Sequence, residues 1–250
     1  MKKWRVKAIR GGSISADKSG CTHYRNFGVK LEMPIWFVAA TNGDLKVLVD
    51  TGMKDLDWVV KSGAEPFAHQ TAEEETPAAL KSAMGWEPDE VDVVINTHLH
   101  YDHCGYNAAF GNAAIYLQRK EYEAAFDATP GLRHLYAARY FDKRAVPYFR
   151  WKLLDGEELI APGLLVFPTP GHSHGHQSVL FDAGEGAVCV TGDVAALAEN
   201  IYENIETNIV VDAGKVYESF ETIRRRADFI IPGHEPGIAN LSECGFPTVG

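Results

Sequence analysis

The chain contains 250 residues, 46% of them hydrophobic, and carries a formal net charge of −10 at pH 7. This length allows a sizeable core, and we expect one domain that spans residues 1–250. The acidic balance argues against nucleic acid or an anionic membrane surface as a partner, because phosphate binding needs clustered Lys and Arg. We therefore expect a small-molecule substrate.

The sequence shows no targeting or membrane-spanning pattern. The charged N-terminus is not followed by an apolar stretch with a cleavage site, and no run approaches the ~20 apolar residues of a membrane helix. Four cysteines are scattered without CxxC spacing, at Cys21, Cys104, Cys189 and Cys244. A chain of this length does not need disulfides, so we expect a reducing, cytoplasmic location.

The first third of the chain is predicted to be rich in strands. Segments 4–9, 34–40 and 45–50 concentrate β-branched and aromatic residues. Asn42-Gly43-Asp44 indicates a hairpin turn between the last two strands. The Gly- and Ser-rich segment 11–26 is predicted to be a loop outside the core.

Helices and strands alternate in the rest of the chain. Segment 76–84 is predicted as a helix, with Thr76 as its cap, Pro77 in its first turn and Gly85 beyond its end. The apolar run 91–97 suits a central strand. Further strands are predicted at 114–117, 164–167, 178–181, 187–191 and 229–231, and further helices at 119–126 and near 215–225. This order predicts an α/β fold with a mixed sheet.

Four residues of ligand type fall within six positions, namely His98, His100, Asp102 and His103. At the end of a strand, the period of two directs the His98 and His100 imidazoles to the same side of the backbone. Asp102 and His103 follow after a turn and can aim at a second point nearby. Imidazole and carboxylate ligands together suit Zn²⁺, and also Mn²⁺, Fe²⁺ or Co²⁺.

Three residues further along the chain are candidates to complete this set. His172, Asp193 and His234 each follow a glycine in a loop after a predicted strand. A single loop histidine is usually only solvated or hydrogen-bonded. Because the cluster at 98–103 already indicates a metal site, a ligand role is favoured for all three residues.

The run His98-Leu99-His100-Tyr101-Asp102-His103 resembles the HxHxDH signature of the metallo-β-lactamase superfamily. Asp50-Thr51-Gly52, Gly171-His172, Gly192-Asp193 and Gly233-His234 follow in the order of that superfamily, from about residue 4 to about residue 236. The resemblance implies a four-layer αβ/βα sandwich with two metal ions at one edge between the sheets.

The resemblance also implies a role for each candidate ligand. The first ion would be held by His98, His100 and His172, and the second by Asp102, His103 and His234. Asp193 would bridge the two ions. Asp50 would be a structural residue beneath the site, although an Asp that ends a strand before a glycine turn is an equally common reading.

Within the superfamily, segments 98–105, 117–125 and 169–178 look like those of N-acyl homoserine lactone lactonases. The likeness implies a lactone substrate, quorum quenching, a homodimer and a supporting role for His176 beside the ligands. Those lactonases commonly carry a Tyr three residues after the bridging Asp, and this chain has Ala196 there. Tyr101, His174 and Tyr202 are candidates to replace it.

The expected reaction is ring opening by a metal-bridging hydroxide, with Asp102 or Asp193 passing on the proton. The aromatic stretch 131–151 offers a groove for an acyl chain, although such stretches are more often core. Other hydrolases of this fold remain alternatives: a glyoxalase II-like thioesterase, a cyclic amide hydrolase or a β-lactamase. An iron-dependent persulfide dioxygenase is a further alternative.

Overall fold

The structure is a computed structural model, and it describes residues 3–238. The strands of this part of the chain are β1 (Arg5–Asp17), β2 (Lys30–Thr41), β3 (Lys46–Val49), β4 (Ala68–His69), β5 (Val93–Ile95), β6 (Ala114–Gln118), β7 (Arg150–Leu154), β8 (Glu158–Ala161), β9 (Leu164–Pro168), β10 (Gln177–Asp182), β11 (Ala187–Gly192) and β12 (Phe229–Pro232). The helices are α1 (Leu56–Ser62), α2 (Thr76–Met84), α3 (Tyr101–Cys104), α4 (Arg119–Ala124), α5 (Ala198–Glu203) and α6 (Ala213–Arg226).

The strands form two mixed sheets. The first sheet has the order β4-β1-β2-β3-β5-β6-β7, and the second has the order β12-β11-β10-β9-β8. Strands β3, β5, β6 and β7 run parallel to one another, as do β11 and β12, whereas the remaining pairs are antiparallel. The predicted α/β class with mixed sheets is confirmed.

Alternating side chains give these sheets two apolar faces. On β3, Val47 and Val49 pack into the core between the two sheets, whereas Leu48 packs outward beneath α2. On the second sheet, Val190 faces the same inter-sheet core, whereas Cys189 packs outward against α6. Helix, sheet, sheet and helix therefore form four layers. Successive side chains of a strand point to opposite faces, so each sheet buries one face against the other sheet and one against helices.

The first strand is much longer than the sequence suggests. The prediction of a loop over 11–26 is wrong for residues 11–17, because β1 continues to Asp17 and pairs with β2 along its length. A bulge between Arg10 and Ser13 accommodates Gly12 at φ +129°, a conformation that favours glycine. The polar stretch thus enters the sheet, and Ile14 becomes buried.

The helix at 76–84 is confirmed, but the cap predicted for it is wrong. Thr76 is the first residue of α2 rather than its cap, and its hydroxyl donates to the Thr51 carbonyl at 2.8 Å. This bond ties the helix to the loop after β3. Gly85 ends the helix at φ +72°, as predicted.

The aromatic stretch 131–151 is mostly core. Leu135, Tyr140 and Phe141 are buried in one apolar cluster, and Phe149 packs in another. Only short helical turns precede β7 here, which explains why no clear periodicity marks the stretch. The stretch therefore serves mainly as core, and the groove that it offers for an acyl chain stays a prediction.

Three cysteines, Cys21, Cys104 and Cys189, are buried free thiols, and Cys244 lies outside the described residues. Between residues 3 and 238, no helix combines the length and apolar character needed to cross a bilayer. The single domain over 1–250 stays a prediction.

Replacing Leu164 by Ala is expected to lower the free energy of unfolding by about 2–5 kcal/mol, because this fully buried side chain fills the inter-sheet core. Leu159 on the neighbouring strand is 63% exposed, so Leu159→Ala should cost about 0.5 kcal/mol or less. Urea unfolding followed by circular dichroism measures both. Equal losses would contradict the assignment of this core.

Candidate metal centre

The first four candidate ligands lie in one short segment after β5. That strand ends at Ile95, so His98 and His100 belong to the following loop rather than to the strand itself. Asp102 and His103 lie on α3, a single helical turn that starts directly after His100. The prediction that the two histidines end a strand and are oriented by its period of two is therefore wrong, because a loop carries this pair and a turn of helix carries the next.

The other three candidates follow strands of the second sheet. His172 comes after β9, Asp193 after β11 and His234 after β12. Strands β9 and β11 are both antiparallel to β10, and β12 is parallel to β11, so their carboxyl ends meet at one edge. This edge faces the end of β5. The seven side chains converge there, and all are at most 8% exposed.

His98, His100 and His172 form one group able to hold a metal ion. His98 Nε2 lies 2.9 Å from His100 Nδ1, and His172 Nε2 lies 3.1 Å from the same atom. The three nitrogen atoms thus surround one point.

Asp102, His103, Asp193 and His234 form a second group of this kind. His103 Nε2 lies 3.2 Å from Asp193 Oδ1, and His234 Nε2 lies 3.2 Å from Asp193 Oδ2. Asp102 Oδ2 is 3.6 Å from both imidazole nitrogens. Asp193 also approaches the first group, since its Oδ2 lies 3.8 Å from His172 Nε2.

Hydrogen bonds on the outer side of three rings decide which nitrogen faces the centre. His103 Nδ1 donates to Asp50 Oδ2 at 2.8 Å, and His234 Nδ1 donates to the Pro34 carbonyl at 2.8 Å. The Thr97 hydroxyl donates to Asp50, so its oxygen accepts from His98 Nδ1 at 3.0 Å. In each ring Nε2 is left to face the centre.

This arrangement fits divalent metal ions. Ligands about 2.0–2.2 Å from a tetrahedral ion lie roughly 3.3–3.6 Å apart, close to the separations of the converging atoms. His103 Nε2 and Asp193 Oδ1 face each other without hydrogen-bond geometry, as two ligands of one ion do. A Cβ at Gly233 would overlap Asp193 Oδ1, so glycine is required beside His234.

The charges of the centre also call for a cation. Burial lowers the pKa of His98 and His100 well below the usual value for imidazole, which keeps both rings neutral. Burial also acts to lower the pKa of His103, but Asp193, Asp102 and Asp50 outweigh it and raise that pKa well above the ordinary value. The carboxylates thus stabilise positive charge, which a proton or a metal ion can supply.

Asp50 holds this arrangement from below. The residue adopts φ +61° and is 3% exposed. Besides the bonds already described, its Oδ1 accepts from the Thr97 amide at 2.7 Å. Burial raises the pKa of this carboxyl despite these hydrogen bonds. A buried carboxylate therefore links the ends of β3 and β5 to His103.

A second buried carboxylate, Glu121 on α4, was not among the predicted site residues. Its Oε1 accepts from the Leu99 amide at 3.2 Å, and its Oε2 accepts from the Ser173 hydroxyl at 2.7 Å and the Gly175 amide at 3.0 Å. Leu99 lies between two candidate ligands, and Ser173 follows a third. Glu121 thus connects the two loops that carry the first group. Only its burial, which sequence does not display, distinguishes it from Glu123.

A cavity of about 200 Å³ opens beside both groups. Its wall includes candidate ligands, namely His100, Asp102, His172, Asp193 and His234, and also apolar residues: Ile14, Met33, Ala64, Leu135 and Ile209.

The cavity separates the three candidates for the missing tyrosine. Tyr101 and Ala196 both line it. His174 and Tyr202 are exposed and do not belong to its wall. His176 lies behind the ligands, where its Nδ1 is 2.9 Å from the Thr169 hydroxyl.

The sequence profile of the metallo-beta-lactamase superfamily matches residues 34–234, which include all seven candidate ligands. The chain belongs to this superfamily. Its four layers, with the candidate ligands at one edge between the sheets, are the architecture that the sequence resemblance implied.

Relatives within the superfamily include lactonases. N-acyl homoserine lactonase AiiA of Bacillus thuringiensis subsp. kurstaki is 31% identical over 205 residues, which cover 79% of this chain and 78% of that protein. N-acyl homoserine lactonase AttM of Azorhizobium caulinodans is 26% identical, with 93% of both chains covered. An N-acyl homoserine lactone hydrolase, solved with N-hexanoyl-L-homoserine at its catalytic metal centre, is similar over 98% of both chains, with a TM-score of 0.82 and 28% identity.

Asp50→Asn is expected to weaken metal binding at the second group about 10–100-fold. An amide nitrogen in place of Oδ2 would donate to His103 Nδ1, so the ring proton would move to Nε2 and point at the ion. Equilibrium dialysis against graded zinc, with metal counted by mass spectrometry, measures the effect.

Asp92→Asn is the matched control, because this exposed aspartate accepts from the Lys46 amide far from the centre. Wild-type zinc binding by Asp50→Asn would contradict the role given to this carboxylate.

Glu121→Gln is expected to lower the free energy of unfolding by about 1–3 kcal/mol, because at least one buried donor loses its acceptor. The loops beside the first group should also loosen, so that added zinc raises the melting temperature less than it does in the wild type. Glu123→Gln changes an exposed carboxyl on the same helix and should behave as wild type. Identical melting curves for all three proteins, with and without zinc, would refute the connection.

Proposed function

We propose that this protein is a metal-dependent hydrolase that opens the lactone ring of N-acyl homoserine lactones and so quenches quorum signals. The observation that carries the proposal is the pair of buried ligand groups joined by Asp193 at the wall of one cavity. The proposal is supported by two relatives, 31% and 26% identical, that are N-acyl homoserine lactonases.

We propose the following ligands for two divalent ions. His98, His100 and His172 hold the first ion, and Asp102, His103 and His234 hold the second. Asp193 would bridge them, a role supported by its short distances to atoms of both groups. Zinc is the proposed metal, because four-coordinate sites rich in histidine suit it, although Mn²⁺, Fe²⁺ or Co²⁺ accept the same ligands.

When bound, such ions supply a nucleophile from water near neutral pH and polarise a carbonyl group. In the overall reaction, water adds to the lactone carbonyl carbon, the bond from that carbon to the ring oxygen breaks, and a carboxylate and a hydroxyl group result. A proton must pass from the attacking water to the departing ring oxygen. Asp102 and Asp193, the two carboxylates among the proposed ligands in the cavity wall, are the proposed carriers of that proton.

The rest of the cavity suits the remainder of the substrate. Apolar side chains in the same wall, among them Ile14, Met33 and Leu135, provide a surface for an acyl chain. The pocket thus combines candidate metal ligands with apolar side chains, which matches a polar ring joined to a hydrocarbon tail.

A cytoplasmic location and a homodimer are also part of the proposal. Buried free thiols at Cys21, Cys104 and Cys189 are compatible with a reducing compartment. The dimer rests on the likeness to lactonases.

Purified protein loaded with zinc should hydrolyse N-hexanoyl homoserine lactone, detected by acid release at constant pH. Chelation should abolish the activity, and added zinc should restore it, because the proposed nucleophile depends on the ions. The same protein is assayed with a simple γ-lactone and with substrates of the alternative hydrolases, namely a glutathione thioester, a cyclic amide and a β-lactam. Turnover of the thioester, amide or β-lactam without any lactone turnover would overturn the proposal, as would lactone turnover that survives complete metal removal.

A further inference from the structure

The Tyr101 hydroxyl faces the cavity without a partner. The residue is only 3% exposed and belongs to the buried cluster that also contains Leu99, Leu135 and Ala196. The cavity is bounded in part by this side chain. Among residues 3–238, no hydrogen bond involves its hydroxyl group.

This state is unusual for a buried tyrosine in the chain. The Tyr140 hydroxyl, for comparison, donates to the Lys54 carbonyl at 3.0 Å, and that of Tyr106 pairs with Glu75. The Tyr101 hydroxyl is not one of the fully enclosed polar atoms without a partner, so it keeps access to the cavity that its side chain lines and is free to donate there. A ligand that enters the cavity can accept this hydrogen bond.

The chemistry of the other wall atoms indicates which ligand atom this is. The carboxylates and imidazoles at the metal side offer lone pairs, and the Thr207 hydroxyl already donates to the Ile209 carbonyl. Ala196 contributes only a methyl group. Two neutral side-chain donors thus stand out in the wall, the Asn208 amide on an exposed residue and the hydroxyl of the buried Tyr101, and Tyr101 is the one that directly precedes the candidate ligand Asp102 in the chain.

We propose that Tyr101 is a catalytic residue whose hydroxyl donates a hydrogen bond to the ring oxygen as it leaves. This inference rests on the proposed lactonase function. As the bond from the carbonyl carbon to the ring oxygen breaks, that oxygen takes the electron pair and gains negative charge. Tyr101 keeps its own proton and stabilises this charge, while the proton that completes the product hydroxyl comes from the attacking water.

The test compares Tyr101→Phe with wild type on a lactone and on the matching thiolactone. Phenylalanine keeps the ring and removes the donor. We expect kcat on N-hexanoyl homoserine lactone to fall about 10–100-fold with KM changed little, because the bond strengthens only as charge develops. A departing thiolate accepts hydrogen bonds weakly, so the thiolactone should lose much less.

Tyr106→Phe is the control, since it removes a buried hydroxyl outside the cavity and should leave both rates unchanged. Zinc content and melting temperature are measured for each variant. If the Tyr101→Phe protein binds less zinc, its rates are compared with those of the wild type at saturating zinc. The ratio of kcat on the lactone to kcat on the thiolactone then tests the inference.

Equal losses on lactone and thiolactone would overturn the inference, as would a change in KM alone. If wild type hydrolyses lactones and Tyr101→Phe does so equally well, this inference fails and the proposed function stands. If wild type hydrolyses no lactone, both fail together.

Discussion

The buried carboxylate of Asp50 is the constraint on which the metal centre depends. It directly follows strand β3 in a left-handed backbone conformation and accepts hydrogen bonds from Thr97 and His103. Such strain and burial persist only when the surroundings compensate for them. Here the hydrogen bonds from Thr97 and His103 stabilise the buried carboxylate. In return, Asp50 fixes the orientation of the His103 ring directly and that of the His98 ring through the Thr97 hydroxyl.

Much of the fold can be predicted from sequence because both sheets are buried on two faces. Continuous apolar runs such as 45–50 and 229–231 mark central strands clearly. The continuation of β1 beyond Arg10 cannot be predicted in this way, since Gly11, Gly12 and Ser13 have the composition of a turn. Their strand conformation comes from pairing with β2, a contact between residues about twenty positions apart.

The candidate site shows the same division between local and distant information. Four ligand-type residues at 98–103 reveal a centre by their spacing, and that cluster makes the distant His172, Asp193 and His234 credible. Glu121 carries no such signal, because the groups that bind it are up to 54 positions away. Glu121 can connect the loops that contain Leu99 and Ser173 only after folding has brought them together. Likewise, sequence alone could not separate Tyr101 from His174 and Tyr202, since burial decides among them.

The candidate ligands come from both sheets, and this has a consequence for the whole chain. Residues 98–103 extend from the first sheet, whereas His172, Asp193 and His234 extend from the second. Metal ions bound there would cross-link the two sheets at one edge of the sandwich. Free metal would then bind the native state in preference to the unfolded chain, and the folding equilibrium would be linked to the metal concentration. A shortage of such a metal would then lower the amount of folded protein as well as the number of active sites.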